Sequence, residues 1–195
     1  MKEKNLPLRT GVGVAVLNQN NKVFVGKRID NPNNKWQMPQ GGVNKNESLV
    51  KAMKRELFEE TGQIIGVEEE WSEVPSNWEE FAKTGYVPDA SHMSFVFRAI
   101  TPPGRPRRFD ARFFLIQAEE LRTNLDDFSM ASDELSHLQW IPLKDTKNFD
   151  LPFITQVVLA EITGNLTKSG PPARVPFFQN TTEERLIYYI NEDEN

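Results

Sequence analysis

Residues 41–62 of the chain, GGVNKNESLVKAMKRELFEETG, pass from a glycine pair into a pattern with helical periodicity. Four apolar residues recur at spacings of three and four, which places them on one face of a helix that begins at Glu47. These residues are Leu49, Ala52, Met53 and Leu57. Asn46 is the predicted N-cap, and Gly62 stands where the C-terminus of a helix favours a left-handed residue. The segment therefore predicts an amphipathic helix with a glycine near each end.

Three acids of this helix lie on one side of it. Glu56 and Glu60 are four residues apart, and Glu56 and Glu59 are three apart, so their side chains are neighbours on the helix surface. Three like charges repel each other unless a cation neutralises them. Carboxylate oxygens suit Mg²⁺ or Mn²⁺, which keep several waters and bind together with substrate phosphates. The spacing predicts a divalent-metal site on the helix.

Arg55 and the glycine pair fit the same interpretation. Arg55 precedes Glu59 by four residues and Glu60 by five, so its guanidinium can hold one of these carboxylates through a two-pronged hydrogen bond. Gly41 lets the backbone approach a metal closely because it has no Cβ. The simpler alternative is a solvated surface helix with alternating basic and acidic residues. That alternative does not account for the glycine pair and Glu47.

The order of these residues resembles the signature of the Nudix hydrolases, G-x5-E-x7-R-E-U-x-E-E-x-G-U, in which U is a bulky apolar residue. Eight of its nine defined positions are occupied, by Gly41, Glu47, Arg55, Glu56, Leu57, Glu59, Glu60 and Gly62. Gln63 departs from the pattern, and we interpret it as a packing detail after the helix, with the apolar Ile64 following. The resemblance implies an α/β (α+β) fold, a Nudix-type α/β/α sandwich with a mixed central sheet. It implies a single Nudix domain over residues 1–164, followed by a partly irregular C-terminal extension over residues 165–195.

The resemblance also implies the roles of the site residues. Glu56, Glu59 and Glu60 bind Mg²⁺ or Mn²⁺ together with the carbonyl of Gly41. One of the glutamates, with Glu56 and Glu59 as the catalytic candidates, instead helps to deprotonate the attacking water. Arg55 orients Glu59 or Glu60. The ions neutralise a pyrophosphate and activate the water that cleaves its P–O–P bridge.

One acid from outside the signature often joins the metal site in this family. Glu134 is the candidate, because it lies six residues before Trp140 in a loop that leads into a predicted strand. An ordinary loop acid beside Asp133 is the alternative. His92 is a candidate general base, although a partly exposed histidine without a role is favoured.

The residues before the signature resemble the branch that contains RNA pyrophosphohydrolases and dinucleoside polyphosphate hydrolases. The similar segments are 9–13, 27–30 and 36–42. The resemblance implies that Arg9, Lys27 and Arg28 face the polyphosphate. A solvated strand edge is the alternative, which stays open for Arg9 and Lys27, whereas the substrate role is favoured for Arg28. Trp36 is a candidate for stacking on a base, although a position in the core is slightly favoured.

The second half resembles a different bacterial Nudix group, distantly similar to the peroxisomal coenzyme A diphosphatases. It carries a basic cluster that can hold a phosphate-rich ligand, formed by Arg105, Arg107, Arg108 and Arg112. Salt bridges from Arg108 and Arg112 to Asp110 are the alternative. The expected substrate is a nucleotide or polyphosphate, with RNA 5′-triphosphate ends or dinucleoside polyphosphates preferred. The alternatives are a coenzyme A or nucleotide-sugar diphosphatase, and a catalytically silent nucleotide-sensing module, which is expected to lose signature acids.

The composition agrees with an enzyme of carboxylate chemistry. The chain has 195 residues, 38% of them hydrophobic and 26% charged, and its net charge of −5 argues against broad nucleic-acid binding. It contains no cysteine, which excludes disulfides and thiolate sites. No apolar run reaches the roughly 18 to 20 residues that span a bilayer, and the first residues lack a secretory pattern. We therefore expect a cytoplasmic protein without a membrane partner.

The remaining pattern predicts strands on both sides of the signature. A hairpin is expected from residues 11–17 and 22–28, and later strands from residues 94–100, 112–118 and 138–143. Residues 68–86 are predicted to be an irregular insertion with one short helix around residues 78–83. Residues 152–163 show an apolar helical pattern.

Overall fold

The computed structural model describes residues 7–29, 35–167, 172–180 and 185–190. Its strands are β1 (Leu8–Leu17), β2 (Lys22–Arg28), β3 (Trp36–Gln37), β4 (Gln40–Gly42), β5 (Val67–Glu68), β6 (Tyr86–Val87), β7 (Met93–Ile100), β8 (Arg108–Gln117), β9 (Leu135–Pro142), β10 (Val175–Asn180) and β11 (Arg185–Ile190). Its α-helices are α1 (Leu49–Thr61), α2 (Glu79–Ala82) and α3 (Phe153–Asn165). Short 3₁₀ turns cover Ser76–Trp78, Ala118–Glu120 and Leu143–Asn148.

Within the described residues, nine strands form one mixed sheet. The strand order is β11-β10-β7-β8-β1-β2-β3, with β4 paired to β1 and β9 paired to β2. β1 runs parallel to β8 and β10 runs parallel to β7, whereas the other pairs are antiparallel. β5 and β6 form a separate two-stranded sheet.

Helices cover both faces of the large sheet. Residues 11–17 of β1 are buried without alternation, which is expected for a strand with covered faces. On one face, α1 packs Ala52, Met53 and Leu57 against Val14 and neighbouring side chains. On the other face, α3 contributes a second apolar set, which comprises Val158, Leu159 and Ile162. The predicted α/β/α sandwich with a mixed sheet is confirmed.

The boundaries of α1 differ slightly from the prediction. The helix begins at Leu49, and its N-cap is Ser48, whose hydroxyl accepts a hydrogen bond from the backbone N–H of Lys51 at 3.2 Å. The prediction of Asn46 as N-cap was wrong, because Asn46 lies in the preceding turn with a positive φ of 65°. Gly62 caps the C-terminus as predicted, with a φ of 71° and its N–H bonded to the carbonyl of Phe58.

Most other predicted elements are present with shifted ends. β2 has the predicted bounds, and its antiparallel pairing with β1 confirms the hairpin. β8 begins four residues before the predicted start, since Arg108 already pairs with Leu8 of β1. β9 begins three residues earlier than predicted, and α3 covers residues 153–165 instead of 152–163. The predicted short helix is α2 with the 3₁₀ turn before it.

The C-terminal range contains more regular structure than the sequence indicated. β10 and β11 lie within residues 165–195, and β10 pairs with β7 through Phe177 with Arg98 and Phe178 with Ala99. The described part of this range therefore extends the central sheet. The sequence break at Gly170 and the acidic residues 191–195 lie outside the described residues. No helix in the described part of the chain is long and apolar enough to cross a membrane.

Candidate metal and substrate site

The turn at β4 and the second half of α1 bring the signature glycine and acids together. A Cβ built on Gly41 would lie 2.0 Å from the Cδ atom of Glu56, so the carboxyl group of Glu56 occupies the space that a side chain at position 41 would need. Only glycine permits this approach. The backbone of Gly41 and the carboxylate of Glu56 therefore form one wall of the site.

Arg55 connects four groups around the acids. Its Nε and Nη2 atoms donate to the two carboxyl oxygens of Glu47 at 2.8 and 3.0 Å. Its Nη1 atom donates to Glu56 at 2.8 Å and to Glu59 at 2.9 Å, and Nη2 also donates to the carbonyl of Gly42 at 2.8 Å. Burial by itself would lower the pKa of Arg55, but its hydrogen bonds and ion pairs with these acids raise it above the usual range. The guanidinium thus fixes the carboxylates as a charged, immobile centre.

Glu60 has different partners from the other two acids. It is 1% exposed, and its carboxylate accepts hydrogen bonds from the backbone N–H of Gln40 at 2.8 Å and from the side chain of Gln37 at 3.3 Å. Of the two acids that the sequence offered as partners of Arg55, Glu59 is therefore the one that Arg55 contacts. Burial raises the pKa of Glu60 to about 8, and the charges of Glu56 and Glu134 add to this effect.

The acids fit a divalent cation. Burial raises the pKa of Glu56, which Arg55 partly offsets, and the charges of Glu59 and Glu134 raise it further. Buried carboxylates with uncompensated charge favour a bound cation. In the described part of the chain, no three acidic or histidine side chains converge to form a metal cage by themselves. Mg²⁺ fits such an incomplete set, because it retains waters and shares substrate oxygens.

Glu134, the candidate acid from outside the signature, lies at the end of the loop between β8 and β9. It is the last residue before β9, and its carbonyl accepts a hydrogen bond from the backbone N–H of Ile29 at 3.0 Å. Its charge acts on both Glu56 and Glu60. The same loop contacts the end of α1, where the N–H of Ser132 donates to the carbonyl of Glu59 at 2.7 Å. The loop that carries Glu134 is therefore anchored to the helix that carries the signature acids.

Gln63, the one departure from the family signature, holds this loop. Its side-chain nitrogen donates to the carbonyls of Asn124 and Asp127, both at 3.2 Å, and its side-chain oxygen accepts from the hydroxyl of Thr123 at 2.6 Å. Gln63 is 3% exposed. The interpretation of Gln63 as a packing detail was wrong, because the side chain satisfies three polar groups of the loop that an apolar residue could not bond.

The residues predicted to bind substrate separate into two groups. Arg28 lines the cavity that begins at Gly41, and its positive charge acts on Glu60. Lys27 instead places its Nζ atom 4.8 Å from the ring centre of Trp36, and the ring of Trp36 packs against Phe149. Trp36 adjoins the apolar core on the α3 face, as the sequence slightly favoured. Arg9 is exposed at the start of β1.

Two of the four arginines in the basic cluster of the second half, Arg108 and Arg112, contact neighbouring groups. Arg98, which the sequence did not indicate, donates twice to Asp110 at 2.9 and 2.8 Å, and Arg112 approaches the same carboxylate at 3.3 Å. Burial would raise the pKa of Asp110, but the hydrogen bonds from Arg98 and the charge of Arg112 lower it. Arg108 donates to the carbonyl of Thr101 at 3.2 Å. Of the cluster, Arg105 lines the cavity beside Gly41.

His92 lies away from the acids. Its Nδ1 atom is 3.3 Å from a carboxyl oxygen of Glu120, and its side chain is half exposed. It lines a second cavity, between α3 and the far ends of β7 and β8, and not the cavity at Gly41. This position agrees with the favoured alternative, a histidine without a role in the site.

A cavity of about 930 Å³ opens beside the acids. One end is formed by Gly41, Gly42 and Arg28, and the other end by the first residues of α3. Aromatic and small residues that no sequence motif indicated line the space between the ends, among them Phe109, Ala111 and Phe178. Phe153 and Thr155 lie at the end formed by α3. No local motif marks them, because they meet only through the strand order.

A comparison with known families agrees with this geometry. The family model described as NUDIX domain matches residues 7–162. The chain therefore belongs to the Nudix family, which confirms the resemblance drawn from its signature.

Several named relatives are similar to this chain. The RNA pyrophosphohydrolase of Roseobacter denitrificans is 34% identical over 155 residues, which cover 80% of this chain and 89% of that protein. The RNA pyrophosphohydrolase of Pelagibacter ubique is 68% identical over 57 residues, which cover 29% of this chain and 36% of that protein. The match to the RNA pyrophosphohydrolase of Rickettsia conorii likewise covers 40% of that protein. The higher identities thus span well under half of these relatives' length.

Two solved structures show the same fold. The MutT protein from Methanosarcina mazei superimposes with a TM-score of 0.58 at 19% identity, covering 84% of this chain and 99% of that one. The Nudix hydrolase from Alicyclobacillus acidocaldarius gives a TM-score of 0.59 at 19% identity, covering 80% and 91%. At these identities the similarity defines the fold alone.

Proposed function

We propose that the protein is a divalent-metal-dependent Nudix pyrophosphohydrolase that cleaves a P–O–P bridge in a nucleotide-linked substrate. The observation that carries this proposal is the carboxylate of Glu56, which packs against Gly41 at one end of a cavity large enough for a nucleotide and shares the guanidinium of Arg55 with Glu59. All the charged positions of the family signature are occupied. This argues against a silent sensing module, which would be expected to lose signature acids.

Each residue of the site has a separate task in this reaction. The carboxylates of Glu56, Glu60 and Glu134 and the carbonyl of Gly41 would hold Mg²⁺ or Mn²⁺, which would supply positive charge to the pyrophosphate and lower the pKa of the attacking water. Among the three signature acids the side chain of Glu59 is 44% exposed, whereas that of Glu56 is 11% exposed and Glu60 is buried. Glu59 is therefore the acid best placed to accept the proton of the attacking water.

The two arginines of the site have different roles: Arg55 orients the acids, and Arg28 binds the substrate. Arg55 keeps Glu59 and Glu56 oriented through its Nη1 atom, while Glu47 holds the other side of the guanidinium. Arg28 binds the polyphosphate at the cavity entrance, next to the backbone of Gly41. These fixed charges remain in place throughout the reaction and need no reorganisation.

The preferred substrates are RNA 5′-triphosphate ends or dinucleoside polyphosphates. The support is the resemblance of the segments before the signature and the similarity to the RNA pyrophosphohydrolase of Roseobacter denitrificans over 80% of this chain. A coenzyme A or nucleotide-sugar diphosphatase is the competing activity. Arg105 at the cavity is the observation that favours this alternative, because it gives a second cation for a larger phosphate-bearing ligand.

A substrate panel tests the proposal. The purified protein is assayed with Mg²⁺ against 5′-triphosphate RNA, diadenosine tetraphosphate, coenzyme A, ADP-ribose and a nucleoside triphosphate. Faster turnover of the first two supports the proposed substrates. Faster turnover of coenzyme A or ADP-ribose would indicate that the second half of the chain determines substrate specificity. Glu59→Gln should abolish most turnover, whereas Glu70→Gln, which changes an exposed acid away from the site, should not.

A further inference from the structure

The cavity beside the acids has an arginine on each of two sides. Arg28 lies on the side formed by Gly41, and Arg105 lies on the side formed by the loop between β7 and β8, residues 101–107. No acidic side chain of the described residues lines this cavity. Two cations in one cavity that lacks an acid favour a ligand with anionic groups at two separate points.

The loop that carries Arg105 has a restricted backbone. The N–H of Thr101 donates to the carbonyl of Phe109 at 2.8 Å, and the hydroxyl of Thr101 accepts from the N–H of Phe109 at 3.0 Å. Gly104 adopts a positive φ of 81°. Fixed φ angles limit the loop further at its three prolines, Pro102, Pro103 and Pro106. The loop therefore holds the backbone of Arg105 at a defined position beside the cavity.

The guanidinium of Arg105 is available to an external anion. It is exposed, and it has no hydrogen bond or ion pair with any of the described residues. Arg108 and Arg112 of the same basic cluster contact a carbonyl and a carboxylate of the protein instead. A guanidinium matches the geometry of a phosphate, to which it can donate two parallel hydrogen bonds. Arg105 is therefore a candidate phosphate ligand of the cavity.

The floor of the cavity separates the acids from the loop of Arg105 by several strands. Gly42 of β4 pairs with Gly11 of β1, Gly11 pairs with Ala111 of β8, and Ala111 pairs with Ala99 of β7. At a strand spacing of about 4.8 Å these three steps cover about 14 Å. A pyrophosphate at the acids is too short to span this distance. An anion at Arg105 must therefore belong to another group of the substrate.

We propose that Arg105 binds a phosphate on the 3′ side of the ribose of the nucleotide whose pyrophosphate lies at Gly41 and Arg28. In a 5′-triphosphate RNA this group is the phosphodiester that leads to the second nucleotide, and in coenzyme A it is the 3′-phosphate. Dinucleoside polyphosphates and nucleoside triphosphates lack such a group. Arg105 therefore determines specificity among substrates that present the same pyrophosphate to the acids. This inference rests on the proposed function, because it requires a pyrophosphate at the acids.

The test compares substrates that differ only in a 3′-phosphate. Values of kcat/KM are measured with Mg²⁺ for adenosine 5′-triphosphate 3′-phosphate against ATP, and for coenzyme A against 3′-dephospho-coenzyme A. In at least one pair the wild type should favour the 3′-phosphate by about fivefold or more, as expected for one partly exposed ion pair. A 5′-triphosphate dinucleotide of adenosine then shows whether the phosphodiester of RNA has the same effect as the terminal phosphate of coenzyme A.

Substitutions in the loop assign this preference to one side chain. Arg105→Gln should reduce the ratio to less than about twofold, and Arg105→Lys, which keeps the charge without the two-pronged hydrogen bond, should give an intermediate ratio. Arg107→Gln is the matched control, because Arg107 is an exposed arginine of the same loop that does not line the cavity. A wild-type ratio near one in both pairs, an unchanged ratio in Arg105→Gln, or an equal loss in Arg107→Gln would overturn the inference.

Binding distinguishes failure of this inference from failure of the proposed function. The affinities of adenosine 3′,5′-bisphosphate and AMP are measured by calorimetry for the wild type and Arg105→Gln, with Ca²⁺ in place of Mg²⁺. Tighter binding of the bisphosphate that Arg105→Gln removes supports the phosphate site, even if no pyrophosphate is hydrolysed. Equal affinities of the wild type for both nucleotides, together with turnover of ATP, would contradict the phosphate site and leave the proposed function intact.

Discussion

The carboxyl group of Glu56 fills the space above Gly41, where a Cβ would lie 2.0 Å from its Cδ atom. Gly41→Ala should therefore displace Glu56 from the site while the fold persists, because the clash involves the end of a flexible side chain. We expect turnover to fall about a hundredfold, since catalytic groups lose most of their effect when displaced by about 1 Å. Steady-state kinetics and thermal unfolding measure the two effects.

Gly164→Ala is the matched control for this substitution. Gly164 lies near the end of α3, and a Cβ built there meets no atom within 4 Å. Alanine should be tolerated or slightly stabilising in that helix. Equal activity of Gly41→Ala and Gly164→Ala would show that the contact between Gly41 and Glu56 is unimportant for the reaction.

Arg55→Lys should lower activity without removing the positive charge. Lysine cannot reproduce the planar set of hydrogen bonds that Arg55 donates to Glu47, Glu56 and Glu59. Residues that orient metal ligands typically contribute about 10- to 100-fold to metal affinity or activity, and we expect a loss in that range. Mg²⁺ titrations of turnover provide the measurement. Arg174→Lys, at an exposed position beside the other cavity, is the control, and a comparable loss there would refute the specific role of Arg55.

The metal-free protein should lose stability as the pH rises from about 4.5 to 8. Burial raises the pKa of Glu60 from 4.5 to about 8, so the folded state holds a proton that the unfolded state releases. This group therefore contributes most stability below its unfolded pKa, and the contribution disappears as the pH rises through the folded pKa. A shift of this size corresponds to at most ~5 kcal/mol.

Denaturant unfolding at pH 5 and pH 9 without metal measures this effect. Glu60→Gln should reduce the dependence of the free energy of unfolding on pH, because the amide does not titrate but can still accept the hydrogen bond from Gln40. Mg²⁺ should stabilise the wild type more at pH 9 than at pH 5. Identical pH dependence in wild type and variant would contradict the assignment of this effect to Glu60.

Gln63→Leu should weaken both the loop and the metal site. The substitution restores the apolar residue of the family signature but leaves the hydroxyl of Thr123 and the carbonyls of Asn124 and Asp127 without their partner. We expect a loss of about 1 to 3 kcal/mol in the free energy of unfolding and a lower affinity for Mg²⁺. Gln117→Leu, at an exposed position at the end of β8, is the control.

A double-mutant cycle tests whether Gln63 acts through Glu134. If it does, the effects of Gln63→Leu and Glu134→Gln on Mg²⁺ affinity should not add, since the first substitution loosens the loop that carries the second residue. Fully additive effects would mean that Gln63 stabilises the loop without positioning Glu134.

The candidate metal site could be predicted from the sequence because divalent-metal chemistry requires acids, and these acids stand at helical spacing. Glu56, Glu59 and Glu60 belong to one short helix, so local periodicity was sufficient to bring them together. The strand β2 could also be predicted from local sequence, since a run of β-branched and aromatic residues bounded by a polar turn has few other interpretations. Gln63 could be identified as unusual, but its partners lie 60 or more residues away in sequence, at Thr123, Asn124 and Asp127.

The part of the cavity that Gly11, Ala99 and Ala111 line could not be predicted in this way. Gly11, Ala99 and Ala111 come from three strands, and each is unremarkable in its own segment. They form one row only because β1 pairs in parallel with β8 and β8 pairs with β7. The strand β10 was also not predicted from the sequence, since Pro176 at its second position is atypical of a strand inside a sheet. Long-range strand order, which the sequence pattern does not contain, therefore determines this part of the cavity.

Mg²⁺-dependent release of pyrophosphate or phosphate from 5′-triphosphate RNA, by the wild type and by Glu59→Gln side by side, measures whether the signature acids hydrolyse a pyrophosphate. We expect turnover by the wild type that requires Mg²⁺ or Mn²⁺, and a loss of most of this turnover in a Glu59→Gln protein that unfolds at a similar temperature. Full activity of the folded Glu59→Gln protein, or wild-type turnover that is unaffected by removal of the metal, would contradict it.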